Sequence, residues 1–94
     1  MAVTVIIPGA LRVDTGGESK AVVELGGDAV LRDALDALAA RHPRIDRRLR
    51  DEQGVLRRFV NVYVDGEECR RMEGLDTPVG ASSEVQIIPS VAGG

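Results

Sequence analysis

The segment PSVAGG at residues 89–94 shows no pattern that would build a helix or a strand. Glycine loses more backbone entropy on ordering than any other residue, so Gly93 and Gly94 add nothing to a core. One interpretation is a frayed terminus without a role, which is common. The other is that the carboxylate of Gly94 is the reactive group. Six extended residues span roughly 20 Å, and residues without a Cβ fit a narrow active site.

Other residues that could do chemistry have simpler interpretations. Cys69 is the only cysteine, and it faces inward on a short predicted strand at 67–70, where a small buried hydrophobic residue is expected rather than a sulfur carrier. His42 is the only histidine and precedes a proline, so we expect it at the end of a helix. Ser82 and Ser83 read as turn residues, since no histidine is placed to activate them. Without a second histidine or clustered cysteines, no zinc or other transition-metal site is predicted.

The composition suits a globular domain that acts on neither nucleic acid nor membrane. The chain has 94 residues, of which 44% are hydrophobic and 29% are charged, so it has enough apolar side chains for one folded domain. A net charge of −3 and only two aromatic residues argue against a nucleic-acid partner. No apolar run approaches about 20 residues, so neither a membrane span nor a signal peptide is expected. One cysteine favours a reducing compartment, and we expect the cytoplasm.

Charge is distributed unevenly. Residues 41–58 contain seven arginines and three acidic residues, giving this segment +4 and the rest of the chain −7. Such a segment is often a solvated loop. The alternative is that it docks onto an acidic enzyme surface.

Hydrophobic periodicity predicts several strands and one helix. β-Branched or alternating residues and turn signals predict strands at 2–7, 20–25, 59–64, 67–70 and 85–88. Asp65-Gly66 is a strong hairpin turn. The spacing of apolar residues at 31, 34, 35 and 38 predicts a helix over 29–41, with Asp28 as its N-cap. Residues 44–58 look polar and irregular, with Ile45 and Leu49 anchoring one short helical turn.

This order of elements predicts an α+β fold, the ubiquitin-like β-grasp. One main helix covers one face of a mixed sheet of about five strands, and the first and last strands are parallel central neighbours. Residues 1–88 form the domain, and residues 89–94 form a flexible C-terminal tail. In the strand at 59–64, the valines share one face, whereas Phe59 and Tyr63 lie on the other. Ile88 shares that outer face, so these three residues form a candidate docking patch for a partner.

Several stretches together resemble the ubiquitin-like sulfur carriers, the family that includes the molybdopterin (MoaD) and thiamine (ThiS) carriers. They are VTVIIPGALR at 3–12, TGG at 15–17, FVNVYVDGEECR at 59–70, LDTP at 75–78 and EVQIIPSVAGG at 84–94. The chain is most like the CysO-type carriers of a cysteine-forming route. The resemblance spans essentially the whole chain.

The resemblance implies that the chain is a carrier, not an enzyme. A partner would use ATP and magnesium to adenylate the Gly94 carboxylate, and sulfur would then displace AMP to leave a thiocarboxylate. Gly93, Ala92 and Val91 would thread into partner active sites. The carrier itself would need no catalytic residue and no tightly bound cofactor.

The resemblance also implies partners. A MoeB-like adenylating enzyme, often fused to a rhodanese domain, would load the tail. A pyridoxal-phosphate-dependent cysteine synthase or a natural-product thiolation enzyme would accept the sulfur, and a zinc metallopeptidase would release peptide-linked cysteine. Two other functions stay open: a protein modifier joined to lysines through Gly94, and a β-grasp interaction module whose tail does nothing.

Overall fold

The computed structural model describes residues 1–89, and these form a mixed sheet with helices on one face. Five strands are described: β1 (Ala2–Ile6), β2 (Lys20–Glu24), β3 (Val60–Val64), β4 (Glu67–Glu68) and β5 (Glu84–Pro89). The helices are α1 (Leu31–Arg41) and α2 (Pro43–Leu49). Short 3₁₀ segments lie at Gly9–Thr15, Cys69–Arg71 and Gly74–Asp76.

The strand order is β2-β1-β5-β3-β4. Strand β5 pairs in parallel with β1 and antiparallel with β3, so β1 and β5 are both central, as the sequence predicts. This confirms the α+β, β-grasp prediction. Parallel pairing also means that β1 and β5 run toward the same end of the sheet.

Alternation along the strands decides which side chains enter the core. Val60, Val62 and Val64 of β3 are each at most 3% exposed, and they pack on the face that the helices cover. The apolar side of α1 packs against this face of the sheet, and its four residues are all buried: Leu31, Ala34, Leu35 and Leu38. The side chains that alternate along the strands and those spaced three and four residues apart in α1 therefore pack together in one core.

The predicted start of the helix is wrong. Asp28 is exposed and is not the N-cap, because α1 begins at Leu31 with Val30 as its N-cap residue. Asp33 accepts a 2.9 Å hydrogen bond from the Val30 amide. The Val30 segment is held extended by a bridge to Pro78, a contact distant in sequence.

The segment after α1 is also more ordered than predicted. Pro43 starts α2, and both Ile45 and Leu49 are buried in the core. Arg50 is only 8% exposed and donates to Asp46 (2.7 Å) and Asp36 (2.8 Å). Burial alone would lower the pKa of Arg50, but the two carboxylates outweigh it and raise that pKa. Residues 44–58 therefore include a packed helix and a buried arginine that is paired with two more exposed carboxylates.

The β3–β4 hairpin follows the prediction at its turn and departs from it afterwards. Asp65 and Gly66 both have positive φ, 49° and 88°, as a two-residue hairpin turn of this kind requires. Strand β4 covers only 67–68 rather than 67–70, because Cys69 begins a 3₁₀ turn.

Candidate functional site

The strand that leads to the predicted reactive tail is held on both sides. The predicted tail residues Val91, Ala92, Gly93 and Gly94 lie outside the described residues, as does Ser90. The last described residue, Pro89, belongs to β5 and lies opposite Val60 of β3. The described part of the chain therefore ends on a central strand, beside the start of β3.

The predicted docking residues Tyr63 and Ile88 lie on the outer face of the sheet, which the helices do not cover. Ile88 is 39% exposed, whereas Ile87 beside it is 1% exposed. Tyr63 lies opposite Gln86, so Tyr63 and Ile88 are diagonal neighbours about 7–8 Å apart. The structure thus places both residues near the end of β5.

Phe59, the third predicted docking residue, lies just outside the strand. It is 50% exposed in a turn closed by a 3.0 Å bond from the Val60 amide to the Arg57 carbonyl. The prediction that Phe59 begins the strand is therefore wrong, because β3 starts at Val60. Phe59 still lies at the end of the sheet from which the tail leaves.

Ile6 belongs to the same surface and was not among the predicted docking residues. In the parallel pairing, Ile6 lies opposite Gln86, which is two residues before Ile88 on β5. The side chain of Ile6 is half-buried. The alternation in β1 places Ile6 on the outer face, but only the pairing of β1 with β5 shows that it adjoins Ile88. We call Ile6, Phe59, Tyr63 and Ile88 the outer patch.

Arg70 fixes the edge of β3 beside the outer patch. Strand β4 pairs only with Tyr63 and Val64, and so leaves the edge open at Val60. The Arg70 guanidinium donates to the carbonyls of Val60 and Arg57, both at 2.8 Å, and to Asn61 Oδ1 at 3.3 Å. The Arg70 side chain thus supplies hydrogen bonds to the start of β3, where no neighbouring strand among residues 1–89 pairs with that edge.

The residues set aside as nucleophiles have structural surroundings. Cys69 is fully buried, and burial raises the pKa of its thiol, with the nearby Glu68 adding to the effect. His42 ends α1, and its Nε2 lies 2.7 Å from Glu18 Oε1. Ser83 Oγ is used within a turn, where it donates to Asp65 and accepts from the Gly80 amide.

Residues 1–89 contain no group of three or more His, Cys, Asp or Glu residues arranged to hold a metal ion. Among the same residues, no helix has the length and apolar character needed to cross a membrane.

Comparisons with known proteins place this geometry in context. The ThiS family model matches residues 5–94. The chain is 43% identical to the sulfur carrier protein CysO of Mycobacterium tuberculosis over 96 residues, covering 100% of both chains.

Solved structures agree with these matches. A chain in the crystal structure of the Amycolatopsis orientalis BexX/CysO complex is 42% identical with a TM-score of 0.84, covering 98% of this chain and 99% of that one. The crystal structure of SAMP1 from Haloferax volcanii is 30% identical with a TM-score of 0.87, covering 100% of both chains.

Proposed function

The chain belongs to the ThiS family, and from this membership we propose that it carries sulfur as a thiocarboxylate on Gly94. Its relatives include proteins named as sulfur carriers, so it is a small carrier of this kind rather than an enzyme. The observation that carries the proposal is the full-length similarity to CysO, which aligns through the Gly93-Gly94 pair that follows β5.

The chemistry requires activation by a partner. A carboxylate resists nucleophiles because it is charged and resonance-stabilised. ATP converts it to an acyl adenylate with release of pyrophosphate, and a sulfur nucleophile then forms the C–S bond as AMP leaves. A thiocarboxylic acid is more acidic than a thiol, so the product is anionic near neutral pH and needs no adjacent base. The partner supplies ATP and Mg²⁺, and this chain supplies only the accessible carbon.

The described structure is consistent with a folded domain that binds the partner and a tail that carries the reactive group. Strand β5 pairs with β1 over 84–86 and with β3 as far as Pro89, so the residue that precedes the tail is still part of the sheet. The outer patch lies beside this end of β5 and offers an apolar surface to a partner. A MoeB-like adenylating enzyme would use this surface while the tail reaches its active site.

Intact-protein mass spectrometry tests the proposal. The chain is incubated with ATP, Mg²⁺, sulfide and a purified MoeB-like adenylating enzyme. We expect a mass gain equal to the exchange of one oxygen for sulfur, located at Gly94 by peptide sequencing. The matched control lacks only Gly94 and should keep the same thermal unfolding curve without gaining sulfur. Equal sulfur loading of the truncated chain would contradict the assignment.

The sulfur acceptor is a further part of the proposal. Similarity to CysO favours a pyridoxal-phosphate-dependent synthase that passes sulfur to an activated serine derivative, with a zinc metallopeptidase then releasing cysteine. The alternative acceptor is a natural-product thiolation enzyme, and the BexX/CysO complex shows that a similar chain binds a second protein. Transfer of ³⁵S from the loaded chain to each acceptor enzyme would distinguish them. A cytoplasmic location stays a prediction.

A second candidate function is protein modification. The similarity to SAMP1, a small archaeal modifier protein, favours it, because both functions begin with activation of a C-terminal carboxylate. An isopeptide bond to lysine would then replace the thiocarboxylate. A lysine-dependent ladder of tagged chain on immunoblots would support modification, and its absence in cells that load the tail with sulfur would exclude it.

A further inference from the structure

The arginines of the basic segment fall into two groups according to their partners. Arg41, Arg48 and Arg50 each form an ion pair with a carboxylate of this chain. The other four, Arg44, Arg47, Arg57 and Arg58, have no carboxylate within ion-pairing distance among residues 1–89, and Arg70, outside the segment, shares this property. We call Arg47, Arg57, Arg58 and Arg70 the basic strip.

Backbone contacts hold the basic strip beside the root of the tail. Arg57 Nε donates to the Arg47 carbonyl in α2 at 2.8 Å, and Arg70 donates to the Arg57 carbonyl at the same distance. Arg70 also bonds to Val60, the residue that lies opposite Pro89. Arg58 sits in the turn directly before Phe59, so the strip is continuous with the outer patch.

Three acidic residues that face the basic segment already pair with its other arginines. Asp14 pairs with Arg48 at 3.3 Å, Glu18 pairs with Arg41 at 3.4 Å, and Asp46 pairs with Arg50. Asp51 and Glu52, which line a groove with Arg47 and Arg57, offset part of the charge of the strip, and the strip stays net positive on a chain whose net charge is −3. Like charges held together repel, and an anionic surface placed against them relieves that repulsion.

We propose that the basic strip is a contact surface for an acidic protein surface, carried by the adenylating enzyme that receives the tail. This inference rests on the proposed function, since it names the charge of the partner that acts at Gly94. The strip steers the enzyme toward the tail, and the outer patch supplies the apolar contact once the two proteins meet.

Charge reversal of two exposed side chains tests the inference. Arg47 and Arg58 are exposed and make no side-chain hydrogen bond within residues 1–89, so the R47E/R58E double variant should fold normally. Arg41→Glu is the control, because Arg41 is also exposed but pairs with Glu18 and donates to the Val22 carbonyl of β2, at the opposite edge of the sheet. Thermal unfolding of all variants checks the fold.

The readout is the dissociation constant for a purified MoeB-like adenylating enzyme, measured by biolayer interferometry at several NaCl concentrations. We expect the double variant to bind about tenfold more weakly at low salt, and its affinity to depend less on salt than that of the wild type. Arg41→Glu should bind like the wild type. Equal affinity of the double variant and the control, or no binding by the wild type, would overturn the inference.

Sulfur loading, followed separately by intact mass, keeps the two proposals distinguishable. If the wild type is loaded with sulfur but charge reversal does not change binding, the proposed role of the basic strip is wrong and the carrier function stands. If binding depends on the strip but no sulfur is found on Gly94, the carrier function is wrong and the strip still stands as a contact surface for an acidic protein.

Discussion

The two faces of the sheet use alternate residues of the same strands for different purposes. On β5, Val85 and Ile87 are buried under the helices, whereas Ile88 is 39% exposed on the outer face. On β3, Val62 is fully buried, and its neighbour Tyr63 is only half-buried. The covered face is uniformly aliphatic, whereas the outer face mixes apolar and polar side chains.

The difference indicates that stability depends mainly on the covered face, and we expect recognition to depend on the outer face. An exposed apolar residue contributes little to folding but is available to a partner. Substitutions at adjacent positions should therefore have opposite effects on unfolding and on binding.

The largest expected effect is on the covered face. Ile87→Ala should lower the free energy of unfolding by about 3 kcal/mol, because it leaves a cavity in a closely packed core. Urea denaturation measures the change. Ile88→Ala removes the same atoms one residue later and is the matched control, with an expected loss below about 1 kcal/mol. Equal losses would show that the two faces are not distinct.

Tyr63→Ala should have the reverse effect. We expect the affinity for the adenylating enzyme to fall about tenfold, since tyrosine is a frequent interface anchor, while the urea midpoint changes little. Affinity is measured by the same interferometry assay. Loss of the cooperative unfolding transition would instead place Tyr63 in the core.

An intermediate effect is expected at the boundary between the faces. Arg70→Ala should cost about 1 kcal/mol of stability through its lost hydrogen bonds, and should also weaken partner binding. Arg41→Ala is the control, because Arg41 donates to the Val22 carbonyl on the opposite edge strand, β2. It should lose comparable stability and keep its affinity. Equal losses of affinity would refute a specific role for Arg70.

The smallest effect concerns Cys69. Burial raises the pKa of its thiol above the ordinary value of 9.0, so the unfolded chain releases this proton at a lower pH than the folded chain. The folded state thus loses stability as pH rises above 9.0 toward the higher folded pKa. The stability difference between the wild type and Cys69→Ala should narrow over that range in urea titrations. Sulfur loading should be the same in both.

The fold was predictable wherever a local pattern decides structure. Alternation identified β3 and β5 and assigned Tyr63 and Ile88 to the outer face, and the Asp65-Gly66 turn followed from backbone preference alone. The apolar stripe of α1 was equally clear. These features depend on residues close together in sequence, so no knowledge of the tertiary fold was needed.

The failures share a different cause, which is dependence on distant residues. Asp28 is a good N-cap by type, but the bridge from Val30 to Pro78 delays the start of α1. The burial of Arg50 requires Asp36 on another helix, and the role of Arg70 requires the gap that a short β4 leaves beside Val60. Composition showed a basic segment but could not show which of its charges are neutralised.

The pairing of β5 on both sides also has a mechanical consequence. A partner that pulls on the tail applies tension along β5, whereas the hydrogen bonds to β3 run across that direction. Such a load shears the bonds together instead of opening them one after another, and the same holds for the parallel bonds to β1. We therefore expect the sheet to resist unravelling when a load is applied along β5 from its C-terminal end.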